Sequence, residues 1–186
     1  IVDSPSRIAD EGIDNATVTV EDFMKLFAAD PDLLDSSAGE KATVDTTGAN
    51  YSALVPVLAV EKLAKIVKFT NLDIDIAAFD QNVVDGLLSR AFDASVDATG
   101  ANSTVKGHIA TNVTKITAGG LTNLTLTSSE DVTEITALLG DDAVGATSVS
   151  VTASGMSAAQ LVAVSGGIAK IAANGITGSV ALDADD

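Results

Sequence analysis

Asp45, Asp73 and Asp97 are the residues best placed to do chemistry, because each closes or nearly closes a short stretch of alternating polar and apolar side chains. On adjacent parallel strands the three carboxylates would stand close together, and like charges so placed destabilise one another. A hard cation that prefers oxygen ligands, Ca²⁺ above all, would relieve the repulsion, so these three are candidate metal ligands. The competing reading is a solvated acidic stripe that opposes aggregation. Thr19, Thr125 and Ser150, with Ala181, would continue the same row. A second row would hold Thr47, Asp75, Thr99, Thr127, Thr152 and Asp183. Short hydroxyl and carboxylate side chains at one spacing suit hydrogen bonding to a glycan or a protein surface. Thr19, Asp75, Thr99, Thr125, Thr127, Ser150 and Thr152 therefore form a candidate binding face.

Other reactive groups are few. His108 is the single histidine, and Ser103, Thr104 and Thr111 near it are ordinary helical neighbours rather than a nucleophile–base–carboxylate set. Lys62, Lys65 and Lys68 form the one basic cluster, read as a solvated helix face. No G-x-S-x-G, phosphate-binding loop, H-E-x-x-H or dinucleotide fingerprint occurs. The absence of cysteine excludes disulfides, thiolate metal sites and thiol nucleophiles. The expectation is a chain that is not an enzyme and has no cofactor beyond candidate Ca²⁺.

Acids outnumber bases 26 to 10, for a formal charge of −16. Such a chain lacks the electrostatic footprint of a nucleic-acid binder and is repelled by anionic membrane surfaces. With 46% hydrophobic but only 3% aromatic residues, the core must be built from Val, Leu, Ile and Ala. No apolar run reaches the length of a membrane helix, so membrane insertion is not expected.

The positioning elements follow from one recurring pattern. It occurs at Thr17-Val18-Thr19-Val20, Thr43-Val44-Asp45-Thr46, Asn71-Leu72-Asp73-Ile74 and Ser95-Val96-Asp97-Ala98. Asn123-Leu124-Thr125-Leu126, Ser148-Val149-Ser150-Val151 and Ser179-Val180-Ala181-Leu182 continue it. The first apolar positions (18, 44, 72, 96, 124, 149 and 180) lie 24 to 31 residues apart. Period-two alternation predicts half-buried strands. Helical spacing predicts helices between them, carrying Phe23, Leu26 and Phe27; then Leu58, Leu63, Ile66 and Val67; then Val83, Val84, Leu87, Leu88 and Phe92. Three more would carry Val105, Ile109, Val113 and Ile116; Val132, Ile135, Leu138 and Leu139; and Leu161, Val164, Ile168 and Ile171. Asp80, Ser103, the pair Ser128 and Asp131, and the pair Ser157 and Gln160 are predicted helix starts. Gly119-Gly120, Gly140 and Asn174-Gly175 are predicted left-handed helix ends. The run Lys115 to Thr122 is nearly repeated at Lys170 to Thr177, which reads as duplication.

Alternating strands leave one sheet face in water, which disfavours a doubly wound sheet buried on both sides. The expected fold is an α/β repeat solenoid of about seven coils: one parallel β-sheet, helices on the opposite side. Coils would start near 16, 42, 71, 94, 122, 147 and 178, after a lead-in over residues 1–15, making 16–186 a single domain. This pattern resembles leucine-rich-repeat architecture, although no coil carries the full leucine-rich string. The Ala/Thr/Gly-rich coils are similar to those of large secreted bacterial surface proteins of the S-layer and adhesin type. That resemblance implies a structural or adhesive segment at the bacterial cell surface, outside the cell, with neighbouring copies or domains of the same protein as partners. The alternative is a module binding glycan or protein through the Thr/Asp face. The first residues carry neither Met nor a signal pattern, so a piece cut from a longer polypeptide is expected.

Overall fold

A computed structural model describes residues 16–29, 42–58, 67–140 and 146–179. Nine strands and six α-helices occur among them. In chain order they are β1 (Ala16–Thr19), α1 (Val20–Ala29), β2 (Ala42–Asp45), α2 (Tyr51–Leu58), β3 (Val67–Thr70) and β4 (Leu72–Asp75). There follow α3 (Val84–Leu88), β5 (Ala94–Asp97), α4 (Ser103–Thr111), β6 (Ile116–Thr122) and β7 (Thr125–Leu126). α5 (Val132–Leu139), β8 (Val149–Thr152), α6 (Ala158–Gly166) and β9 (Ile171–Thr177) complete the order. The chain divides into two compact units, residues 1–73 with 89–94, and residues 74–88 with 95–186.

The expectation of one continuous sheet is corrected. The strands form three separate three-stranded sheets, in the orders β1-β2-β3, β4-β5-β6 and β7-β8-β9. Among the described residues no seven-coil solenoid is formed, and the leucine-rich-repeat-like resemblance fails with it. The physical reason lies at two residues. Asn71 separates β3 from β4 and Asn123 separates β6 from β7, and both have φ 55°. A left-handed residue leaves the extended backbone of a ladder; at Asn71 and Asn123 the strand stops there, whereas at Gly119 and Asn174 it continues past the irregularity. Alternation tells which side chains are buried; it does not tell which strand is the neighbour.

Within the first sheet the pairing is parallel and in order. β1 meets β2 from Ala16↔Ala42 to Thr19↔Asp45, and β2 meets β3 from Ala42↔Val67 to Asp45↔Thr70. In the third sheet, Thr125 pairs with Ser150 and Leu126 with Val151, while Thr152 pairs with Thr177. The alternation buries the residues it selects. Val18, Val44, Leu72, Val96, Leu124 and Val149 are all buried, and position 180 lies outside the described residues. In the first unit the core also takes Phe23, Leu54, Val57 and Phe69. In the second it takes Leu87, Leu88, Ile109, Leu121, Ile135 and Leu138.

Several predicted helices end early. Val67 begins β3, Ile116 begins β6 and Ile171 begins β9. Phe92 is exposed and lies beyond α3. A 3₁₀ turn precedes each long strand, at Val113–Lys115 and at Ile168–Lys170. Such a turn keeps i, i+3 apolar spacing, which is why Val113 and Ile116 read as one helical face. The duplicated runs thus become β6 and β9, and their left-handed residues Gly119 (φ 76°) and Asn174 (φ 62°) sit inside strands rather than at helix ends. Gly140 ends α5 with φ −64°, not left-handed. Capping moves by a few residues in two places: Asn102 caps α4 where the sequence predicts Ser103, and the capping box of α5 is Asp131 with Glu134. Asp80 caps the 3₁₀ turn before α3, and Ser157 with Gln160 forms the expected box on α6.

Candidate binding face and cleft

The predicted face is built from strand ends and the turns that follow them. Asp45 closes β2, and its Oδ1 accepts from the backbone N–H of Thr47 (3.0 Å) and the Thr47 hydroxyl (2.7 Å). Asp97 closes β5 and does the same with Thr99, at 3.0 and 2.7 Å. Asp75 accepts from the N–H of Ala77 at 3.0 Å. An aspartate that hydrogen-bonds two residues ahead mimics a backbone turn and ends the strand. The residues Asp45-Thr46-Thr47-Gly48-Ala49-Asn50 recur as Asp97-Ala98-Thr99-Gly100-Ala101-Asn102. Gly48 and Gly100 take positive φ in these turns, and Asn50 and Asn102 each accept a helix N-terminal N–H three residues on.

Asp45 and Asp97 each also hold an asparagine from further along the chain. Asn71 Nδ2 donates to Asp45 Oδ1 at 3.1 Å. Asn123 Nδ2 donates to both oxygens of Asp97, at 3.0 and 2.9 Å. The hydroxyl and amide donors hold both carboxyls below their ordinary range: Thr47 and then Asn71 act on Asp45, Thr99 and Asn123 on Asp97. Hydrogen bonds to the charged form favour it. Asp93 Oδ1 fixes the same left-handed site from the other side in the first unit, accepting from the Asn71 N–H (2.7 Å) and the Thr70 hydroxyl (2.8 Å).

The predicted rows are brought together only in part. Thr19 stands beside Asp45, and Thr125 beside Ser150. The neighbour of Asp45 on its other side is Thr70, not Asp73. Asp73 and Asp75 are exposed on β4, which belongs to a different sheet. Among the described residues, no three acidic or histidine side chains are grouped to hold a metal ion. Thr127 accepts the Ser129 N–H through its hydroxyl (3.2 Å). Thr152 faces Thr177 in the sheet. Asp183 and Ala181 lie outside the described residues, as do Lys62 and Lys65; Lys68 sits on β3 rather than on a helix. His108 is half-buried on α4 with Nδ1 3.4 Å from Asp85 Oδ1.

A cleft of about 610 Å³ opens in the first unit at the ends of β1 and β2. Thr19, Glu21, Asp45 and Thr47 supply its polar groups, and Val20, Met24, Ala53 and Pro56 its apolar wall. The Thr19 hydroxyl also caps α1 by accepting the Asp22 N–H at 3.1 Å. Lys25 is paired with Glu21, which lowers the Glu21 carboxyl and keeps it ionised. An apolar wall rimmed by hydroxyl and carboxylate acceptors suits a neutral polyhydroxylated ligand.

Sequence reasoning misses a buried ion pair in the second unit. Lys106 Nζ lies 2.9 Å from Glu130 Oε1, both side chains buried. The other Glu130 oxygen accepts from the N–H (2.6 Å) and hydroxyl (3.2 Å) of Thr127. The signal is present: Lys106 sits three residues before Ile109, on the apolar side of α4. Lys115 and Lys170, at matched places in the duplication, escape sequence reasoning in the same way. Lys115 Nζ donates to Leu88 O at 3.2 Å, and Lys170 Nζ donates to Gly140 O. Each reaches past the helix just before it, to the carbonyl end of the helix before that one, α3 for Lys115 and α5 for Lys170. The helix dipole favours a cation there.

None of the protein families, curated proteins or solved structures compared with this chain matches it. Among the described residues no helix is long and apolar enough to cross a membrane.

Proposed function

We propose that this chain is a non-catalytic structural segment of a bacterial cell-surface protein, of the kind that builds an S-layer, filament or adhesin stalk. The observation that carries the reading is the use made of its carboxylates. Asp45 and Asp97, the most conspicuous acidic residues of the sequence, are tied by hydroxyl and amide donors into strand-end turns. They serve as struts of a polar face rather than as converging acids and bases. The charge of −16 and the lack of cysteine suit an exposed, soluble surface without disulfides. Antibody raised against the chain should label intact, unpermeabilised cells of the source organism. Labelling that appears only after permeabilisation removes the reading.

The cleft favours a second reading, a module that binds neutral glycans. Thr19 and Asp45, neighbours in the sheet, both line it. Ala53 sits on its apolar wall, so Ala53→Trp fills the space. Under this reading the wild-type chain binds defined oligosaccharides on an array and Ala53→Trp does not, at unchanged melting temperature. An array without signal removes it.

A further inference from the structure

Asn-x-Ser/Thr, the acceptor pattern for nitrogen-linked sugar, occurs five times, at Asn15, Asn50, Asn102, Asn112 and Asn123. Asn15 lies outside the described residues, and the structure divides the other four into two pairs. Asn112 is 6% exposed, and its Nδ2 donates to the His108 carbonyl at 3.0 Å. Asn123 is exposed, but its Nδ2 is taken by both carboxylate oxygens of Asp97. Asn50 and Asn102 are exposed, and so are the hydroxyl residues two places on, Ser52 and Thr104. In both asparagines Oδ1 is engaged and Nδ2 is not. Oδ1 of Asn50 accepts the Ala53 N–H at 3.1 Å, and Oδ1 of Asn102 accepts the Val105 N–H at 2.9 Å. Among the described residues no acceptor takes either Nδ2.

Capping alone does not account for asparagine at these two places. Asp131 caps α5 and Ser157 caps α6 in the same manner, and Asp80 caps the 3₁₀ turn before α3. Aspartate, serine and asparagine are about equally good caps. What asparagine adds is an amide nitrogen, on a side chain whose oxygen is already pinned to the helix start. Both asparagines hold the same place in the repeated turn Asp-x-Thr-Gly-Ala-Asn-x-Ser/Thr, one in each compact unit. We propose that Asn50 and Asn102 are sites of N-linked glycosylation, and that Asn112 and Asn123 are not. The inference rests on the cell-surface reading above and deepens it by naming the modification the exposed turns receive. The donor is a glycosyl diphosphate, supplied by the cell together with its transferase. Nδ2 forms a bond to the anomeric carbon of the sugar, and the bond from that carbon to the diphosphate oxygen breaks. The diphosphate leaves with the electron pair, and Nδ2 gives up one proton to a base of the transferase. Oδ1 takes no part in the exchange, so the folded chain carries the sugar with both caps intact. At Asn112 and Asn123 the same step breaks a hydrogen bond that the fold already uses. The attached sugar is bulky and hydrated, which suits an exposed turn.

Peptide mass mapping of the chain isolated from its source organism should find added sugar mass on the peptides that carry Asn50 and Asn102, and none on those that carry Asn112 and Asn123. Enzymatic release of the sugar with its nitrogen should turn Asn50 and Asn102 into aspartate, which marks the linkage. Expressed in the same organism, Ser52→Ala and Thr104→Ala keep both asparagine caps and should each lose the sugar at their own site alone. Asn102→Asp keeps a capping oxygen but has no amide nitrogen, and should lose the Asn102 sugar while Asn50 keeps its own. Unmodified Asn50 and Asn102 overturn the proposal, wherever in the cell the chain is found. So does sugar on Asn112 or Asn123 to the same extent as on Asn50. Labelling of the cells only after permeabilisation removes the surface reading instead, whatever the sugar content of the chain.

Discussion

Asn123 grips both carboxylate oxygens of Asp97, at 3.0 and 2.9 Å, from a backbone position with φ 55°. Asn71 does the same to one oxygen of Asp45 at 3.1 Å, again with φ 55°. In both cases the asparagine lies 26 residues after its aspartate. The pair joins two tasks. The left-handed residue follows the last strand of one sheet, and its side chain ties that break to the strand-end turn of the neighbouring strand, β2 for Asn71 and β5 for Asn123.

Asparagine tolerates the left-handed region because its short polar side chain can bond locally, whereas alanine pays a steric penalty of roughly 1–2 kcal/mol there. Glycine avoids that penalty but has more freedom to lose on folding. Chemical denaturation should therefore rank wild type above Asn123→Gly, and Asn123→Gly above Asn123→Ala by about 0.5–1 kcal/mol. Equal stability of the two variants would mean that the backbone conformation contributes nothing.

Acid should loosen both turns. The carboxyls of Asp45 and Asp97 are held below their ordinary range by Thr47 and Thr99 first, with Asn71 and Asn123 assisting. A depressed folded-state value means stability that is present above the unfolded-state value and lost as pH falls through the folded one. Melting temperature should drop between about pH 5 and 2 for this reason. The double variant Asp45→Asn, Asp97→Asn should start lower at neutral pH and lose less on acidification. A drop of the same size in the variant would place the acid-sensitive groups elsewhere.

The Lys106–Glu130 pair should behave as a buried charge pair does when broken. Lys106→Met leaves Glu130 buried, with the Thr127 N–H and hydroxyl as its remaining donors, and should cost about 3–5 kcal/mol. Adding Glu130→Leu removes the stranded charge and should recover part of the loss. A double variant no more stable than the single one would show that packing, not charge, sets the cost.

Lys115→Met should cost about 1 kcal/mol, since it removes the cation from the carbonyl end of α3. Hydrogen exchange should show the loss concentrated at the end of α3. Uniform loss of protection across the second unit would argue for a general packing defect instead.

The two-residue alternation is enough to mark the buried apolar positions, because a strand with one wet face must alternate. Val18, Val44, Leu72, Val96, Leu124 and Val149 are all legible in that way, and so is the capping box of Ser157 with Gln160. The same logic finds Thr19, Asp45, Thr125 and Ser150 as outward-facing strand residues and places them in neighbouring pairs. It cannot find the strands β3, β6 and β9. Val113 and Ile116, or Ile168 and Ile171, are three residues apart whether the turn between them is helical or leads into a strand.

The division into three sheets is decided by tertiary structure alone. Hydrogen-bond partners in a ladder are chosen between segments, and the alternation within one segment carries no record of that choice. Asn71 and Asn123 are visible as residues, but only their left-handed backbone and the aspartates 26 positions earlier reveal them as the places where one sheet stops and the next begins. Sequence alone thus marks the buried apolar positions of the alternating strands; the chain's folding decides which strands lie side by side and which helix residues are covered.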